Sequence, residues 1–196
     1  MSDKKPWGKE AVKEAVLTAA TELIAEHGFK AISIRDIALA ANVNHGLITA
    51  YFGSKFELVK EVASRSIARI AQSSLANNAT LQDVWLKGFD DYSVDIKTVV
   101  RILLDEPDVT IVDKMGDLIG GLVEWVKKEQ AKHKLKRSID PVFLLFAVAS
   151  LFLGAHLLEP YLKNIIGLTD AAFQKYKQNM IEMLADEYFK SASLPR

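Results

Sequence analysis

Cysteine is absent from these 196 residues, which excludes disulfides, thiolate metal sites and a cysteine nucleophile together and fits a reducing compartment. Glycine and proline are sparse, at 10 and 5, too few for a fibrous or low-complexity chain. An excess of one charge is missing too. The 25 basic and 25 acidic residues cancel, so composition supplies no polyelectrolyte attraction to nucleic acid. No stretch alternates apolar and polar residues between hairpin turns, which removes the sheet classes. Lys4 and Lys5 lack the following apolar stretch and small-residue cleavage site of a secretory leader, and the expected localisation is cytoplasmic.

Catalytic and metal-binding patterns are missing as well. His27, His45, His133 and His156 are far apart and show no zinc-site spacing. There is no glycine-rich phosphate loop and no Gly-x-Ser-x-Gly. Asp90 with Asp91, and Asp105 with Glu106, are adjacent in sequence and on a helix point apart. Neither a metal, a cofactor nor an enzymatic activity is expected. The basic run from Lys127 to Arg137 reads as the solvated end of a helix, where cations suit the dipole.

What is present is helical periodicity, and the predicted fold class is all-α. Val12, Val16, Ala19 and Leu23 give one apolar stripe over 9–27, closed by Gly28. Ser33 and Asp36 form a capping box for a short second helix with Ile37, Ala38 and Ala41 inward. Asn42, Val43 and Asn44 make a sharp turn, in which asparagine tolerates left-handed backbone and Asn44 caps a third helix over 45–52. Ser54 and Glu57 form a box that opens a fourth helix. Further helices follow after Thr80, before Pro107, over 117–134, from Asp140 to a stop at Glu159-Pro160, and over 170–189.

Two short helices joined by a tight turn and braced by a preceding helix have the layout of a helix-turn-helix. Ile48 and Phe52 step by four residues and anchor the third helix inward. Asn44, His45, Leu47, Thr49, Ala50 and Tyr51 are left around its rim and outer face.

Residues 33–58, SIRDIALAANVNHGLITAYFGSKFEL, resemble the DNA-binding signature of tetracycline-repressor-like (TetR/AcrR) regulators. The matching features are the opening Ser-Ile-Arg-Asp-Ile-Ala, Ala41 and Val43 around the turn, Gly46, Tyr51-Phe52, Ser54-Lys55 and Leu58. The resemblance implies a homodimer on a palindromic double-stranded operator, released by a small-molecule effector. Carried over by position, Asn44, His45, Leu47 and Ala50 face bases, Arg35 reaches DNA from the second helix, and Tyr51 and Lys55 hold phosphates. Three positions depart from the pattern. Thr49 stands where the family usually has a phosphate-binding tyrosine and is shorter, Asn42 replaces the usual turn glycine, and Asn44 replaces a common serine.

The expected organisation is a DNA-binding domain over 1–53, a connecting helix over 54–75 and a helical ligand-binding and dimerisation domain over 76–196. Candidates for an apolar effector pocket are Trp85, Phe89, Tyr92, Leu104, Leu122, Trp125 and Phe146, although aromatics at helical spacing are core residues first. Ala147, Ser150 and Gly154 line one face of the segment 141–158 with small side chains, so another helix can approach closely. With Phe173, Tyr176, Met180 and Leu184 of the last helix they are the candidate dimer interface, completing a four-helix bundle as the resemblance implies. Residues 141–158 carry no formal charge, and the alternative is a membrane-associated protein anchored there. Asp140 and Glu159 bracket the segment closely and no aromatic belt flanks it, which favours a buried helix with no membrane partner.

Overall fold

A computed structural model describes residues 6–74, 92–106, 110, 114–132 and 135–188. The described residues form α1 (Lys9–His27), α2 (Ile34–Ala40), α3 (His45–Phe52), α4 (Lys55–Ser74), α5 (Ser93–Asp105), α6 (Lys114–Ala131), α7 (Pro141–Ile166) and α8 (Asp170–Tyr188), with no strand among them. They divide into two compact units, one holding residues 1–70 and 94–115 and the other 71–93 and 116–196. This division differs from a break at residue 75 by grouping α5 with the N-terminal helices.

The caps explain the starts of the short helices. Ser33 Oγ accepts the Asp36 amide at 3.2 Å while Asp36 Oδ2 accepts the Ser33 amide at 2.7 Å, so both halves of the box are made. Asn44 Oδ1 accepts the Gly46 amide at 2.8 Å and opens α3. Ser54 Oγ does the same for Glu57 at 3.1 Å, ahead of α4. Each bond satisfies an amide that the helix itself leaves without a partner.

The first unit buries apolar side chains from five helices. Val16 and Ile24 from α1, Ile37 from α2, Ile48 and Phe52 from α3, and Leu58, Val62 and Ile67 from α4 are buried together with Val99, Val100 and Ile102 of α5. Polar contacts also join α5 to this unit. Thr98 Oγ1 donates to the Thr21 carbonyl at 2.9 Å, and Asp95 pairs with Arg69 of α4 at 3.4 Å. Packing of this kind is why α5 groups with the head and not with the helices that follow it.

In the second unit Val126 of α6, Leu135, and Leu144 and Val148 of α7 form a buried cluster, with Trp125, Leu151 and Met180 packed on it. Gln130 Nε2 donates to the carbonyls of Lys136 and Ile139 at 3.0 and 2.8 Å, which fastens the loop between α6 and α7. Asp140 caps α7 through the Phe143 amide at 2.8 Å, with Pro141 in its first turn.

The expected stop at Glu159-Pro160 does not occur. The helix continues through Pro160 to Ile166 and ends at Gly167, whose φ of 64° is left-handed. It bends instead, by 48° between Ala155 and Leu157. Pro160 has no amide for the carbonyl four residues earlier, and its ring crowds that carbonyl, so the helix kinks one turn upstream. Beyond the turn, Lys163 pairs with Glu159 at 2.5 Å and with Asp170 at 2.7 Å, tying the end of α7 to the start of α8. Both carboxylates favour the charged ammonium and raise its pKa, Asp170 contributing most. Among the described residues no single helix is long and apolar enough to cross a membrane; only the two limbs of α7 together, across their bend, match a span in length and composition.

Replacing Ser33 by alanine removes the cap of α2 and should lower unfolding stability by about 1 kcal/mol in a denaturant titration at neutral pH. The bonds from Ser33, side chain first and backbone second, hold the Asp36 carboxyl below its ordinary pKa. That contribution is complete above the ordinary carboxylate pKa and is lost as pH falls through the lowered folded-state value. The difference between wild type and Ser33→Ala should therefore shrink in strong acid, and a difference independent of pH would contradict the box.

Candidate nucleic-acid interface

Between α2 and α3 the chain reverses within residues 41–44. Asn42 takes φ 53°, the only non-glycine with positive φ among the described residues. An asparagine adopts this backbone at lower cost than most side chains, which is why it can stand where a turn glycine is more usual. The Asn42 amide donates to Leu39 at 3.1 Å and the Val43 amide to Ala38 at 3.0 Å, closing the last turn of α2 before α3 begins.

From there the two faces of α3 separate. Ile48 is 1% exposed and Phe52 is buried, so the inner face is held by packing against α2 and α1. Asn44, His45, Thr49 and Ala50 are exposed, and Leu47 and Tyr51 are half-buried at the margins. Arg35 lies exposed in the first turn of α2. A short helix with a polar start, an anchored back and an uncovered front meets the requirements for insertion into a major groove.

Cations border this face from two other helices. Lys9, in the first turn of α1, places its ammonium 5.9 Å from the Tyr51 ring centroid, and Lys13 stands 5.1 Å from the Phe52 ring while pairing with Glu61 at 3.1 Å. Lys55 is half-buried in the first turn of α4, with its ammonium 4.6 Å from the Phe29 ring. Burial lowers its pKa, and the negative charges of Asp105 and Asp36 act against that shift. Lys9 escaped the reading of the sequence because an isolated lysine at a helix start has no local mark of what lies across from it.

The remaining candidates scatter. Trp85 and Phe89 lie outside the described residues. Trp125 packs on the core of the second unit, Leu122 and Tyr92 are half-buried, and Leu104 and Phe146 are exposed in their respective units. Of the proposed dimer contacts, Phe173 is buried, with Lys163 and Lys177 ammoniums 5.3 and 5.8 Å from its ring, and Met180 packs on the core of its own chain. Ser150 and Tyr176 are exposed, and Ala147 and Gly154 are half-buried. The side chain of Leu184 lies outside the described residues. No group of three or more metal-ligating side chains gathers among the described residues.

An exposed, capped α3 whose back is locked into a helical core defines a helix-turn-helix DNA-binding protein. Residues 16–62 match the family of bacterial regulatory proteins known as the tetR family. Over 182 residues the chain is 29% identical to the HTH-type transcriptional repressor Rv3405c of Mycobacterium tuberculosis, covering 93% of this chain and 92% of that protein. It is 31% identical to the HTH-type transcriptional repressor SCO4008 of Streptomyces coelicolor over half of each chain. Its fold is similar to that of Escherichia coli NemR, with a TM-score of 0.68 and 18% identity over 93% of this chain and 99% of the other. It is also similar to SCO4942 of Streptomyces coelicolor, with a TM-score of 0.71 and 18% identity over 90% and 98% of the two chains. Residues 16–62 thus carry a DNA-binding domain similar to that of the tetR family, and the chain is a DNA-binding transcriptional regulator.

Substituting Arg35 by alanine should weaken binding to every duplex alike and lower the slope of log affinity against log salt by about one. His45→Ala should instead change which base pairs are preferred in a selection from randomised duplexes, at about 1–3 kcal/mol for a directly read base. A uniform loss for His45 would remove it from the base-reading set.

Proposed function

We propose that the protein is a ligand-responsive repressor that binds a palindromic operator as a homodimer, working in the cytoplasm and carrying out no catalysis of its own. The observation that carries this reading is the free outer face of α3, with Asn44 and His45 at its start. One such helix covers a half-site, and a twofold pair with recognition helices roughly 34–36 Å apart reads two half-sites one DNA turn from each other. The transcriptional repressors among its relatives support the negative sign of regulation.

Support for a dimer comes from α7 and α8. Phe143, Phe146, Tyr161, Ile165, Tyr176 and Met183 are all more than half exposed, and a lone chain seldom leaves so many large apolar side chains in water. We assign them to the partner-facing surface, with the exposed Ser150 beside them and Phe173 and Met180 reassigned to the chain's own interior. The effector is a small, mainly apolar molecule received by the second unit, and Leu122 is a lining candidate. Its binding would alter the spacing of the two recognition helices and so weaken the operator complex.

The test is a gel-shift titration with DNA flanking the protein's own coding region, searched for a palindrome, together with light scattering. A dimer in solution and one shifted species per palindrome are expected, with affinity falling steeply as salt rises. Phe146→Glu should give monomers and at least tenfold weaker operator binding, because each half-site is then held alone. A wild-type monomer that binds half-sites and palindromes equally would overturn the proposal.

A further inference from the structure

A long-range contact in the DNA-binding unit is made by Asp105, the last residue of α5. Its Oδ2 accepts the Lys30 amide at 3.2 Å, across 75 positions of sequence. The same oxygen lies against Gly28, where a Cβ would sit 2.7 Å from it and 3.7 Å from the carboxyl carbon. Gly28 also has φ 86°, so glycine is required here twice, by its backbone and by the carboxylate pressed on it. Between these two contacts lies Phe29, buried, with the Lys55 ammonium 4.6 Å from its ring centroid. The corner of residues 28–30 is thus gripped from one side by Asp105 and overlaid on another by Lys55.

We propose that Asp105 is a positioning residue for DNA binding: by fixing the corner between α1 and α2 it holds Phe29 as the platform on which Lys55 is presented to a phosphate. The proposal rests on the phosphate role of Lys55. Two features set the carboxylate apart from an ordinary surface acid. A backbone amide and a glycine surface are both shaped to it, and it counts with Asp36 among the negative charges that favour the Lys55 ammonium. A negative group beside a phosphate-binding cation opposes DNA by itself, so its presence is accounted for by geometry, not by attraction. The first 74 residues then contain the reading helix but not the full means of orienting its flanking cation.

Random-sequence duplex DNA at low salt is the probe, since a phosphate contact acts on any sequence. Asp105→Asn keeps an oxygen for the Lys30 amide and loses the charge, and it should bind at least as tightly as wild type. Asp105→Ala loses both and should bind roughly tenfold more weakly than Asp105→Asn, the scale of one misplaced charge-assisted contact. Gly28→Ala sets a Cβ against the carboxylate on a backbone that already disfavours it, and it should bind no more tightly than Asp105→Ala. Hydrogen exchange at the Lys30 amide should speed up in Asp105→Ala and stay slow in Asp105→Asn. Equal binding and equal exchange in the two Asp105 variants would overturn the proposal. Failure of the underlying phosphate role is seen separately, as Lys55→Ala binding like wild type.

Discussion

The reversal at Asn42 carries more of this protein than its length implies. Residues 41–44 must turn the chain, cap α3 and deliver Ile48 and Phe52 to the core, and they do so with one left-handed asparagine and one capping asparagine. If the turn opened, the two anchors could not be buried together, and the polar start of α3 would lose its direction. A helix of eight residues has little stability alone, so its orientation comes from that burial and from the caps at its neighbours.

The burial in turn depends on helices outside the motif. α1 packs on both α2 and α3, and Arg65 of α4 pairs with Glu14 of α1. α5 then closes the unit with apolar side chains, the Thr98 bond to the Thr21 carbonyl and the Arg69–Asp95 pair. Asp105 is the last contact of that helix. The DNA-facing surface is therefore set by four helices and their partner, not by the two for which the motif is named.

The second unit shows the opposite economy. Its most apolar helix, α7, buries only part of its surface on the cluster around Leu144 and Val148, and leaves Phe143, Phe146, Tyr161 and Ile165 uncovered. Such a surface is unfavourable for a single chain in water and favourable in a symmetric pair. The Pro160 kink changes the direction of the exposed face partway along the helix, so the two limbs need not meet a partner in the same plane.

Local chemistry made the head legible in the sequence. Ser33 with Asp36, Asn44, and the four-residue step from Ile48 to Phe52 act within a few residues, so spacing alone specifies their caps, their turn and their buried side. The same locality misled at Pro160, because a proline that ends an isolated helix is tolerated where tertiary packing sustains both limbs. A stripe on a helix does not say which neighbour covers it: Phe173 is buried and Met180 packs on the core of its own chain. Only the folded chain brings Asp105 to Lys30 and Gly28, or Lys9 to Tyr51, and groups α5 with the head. These contacts join residues tens of positions apart, and their partners are selected by the packing of whole helices, for which the sequence carries no local sign.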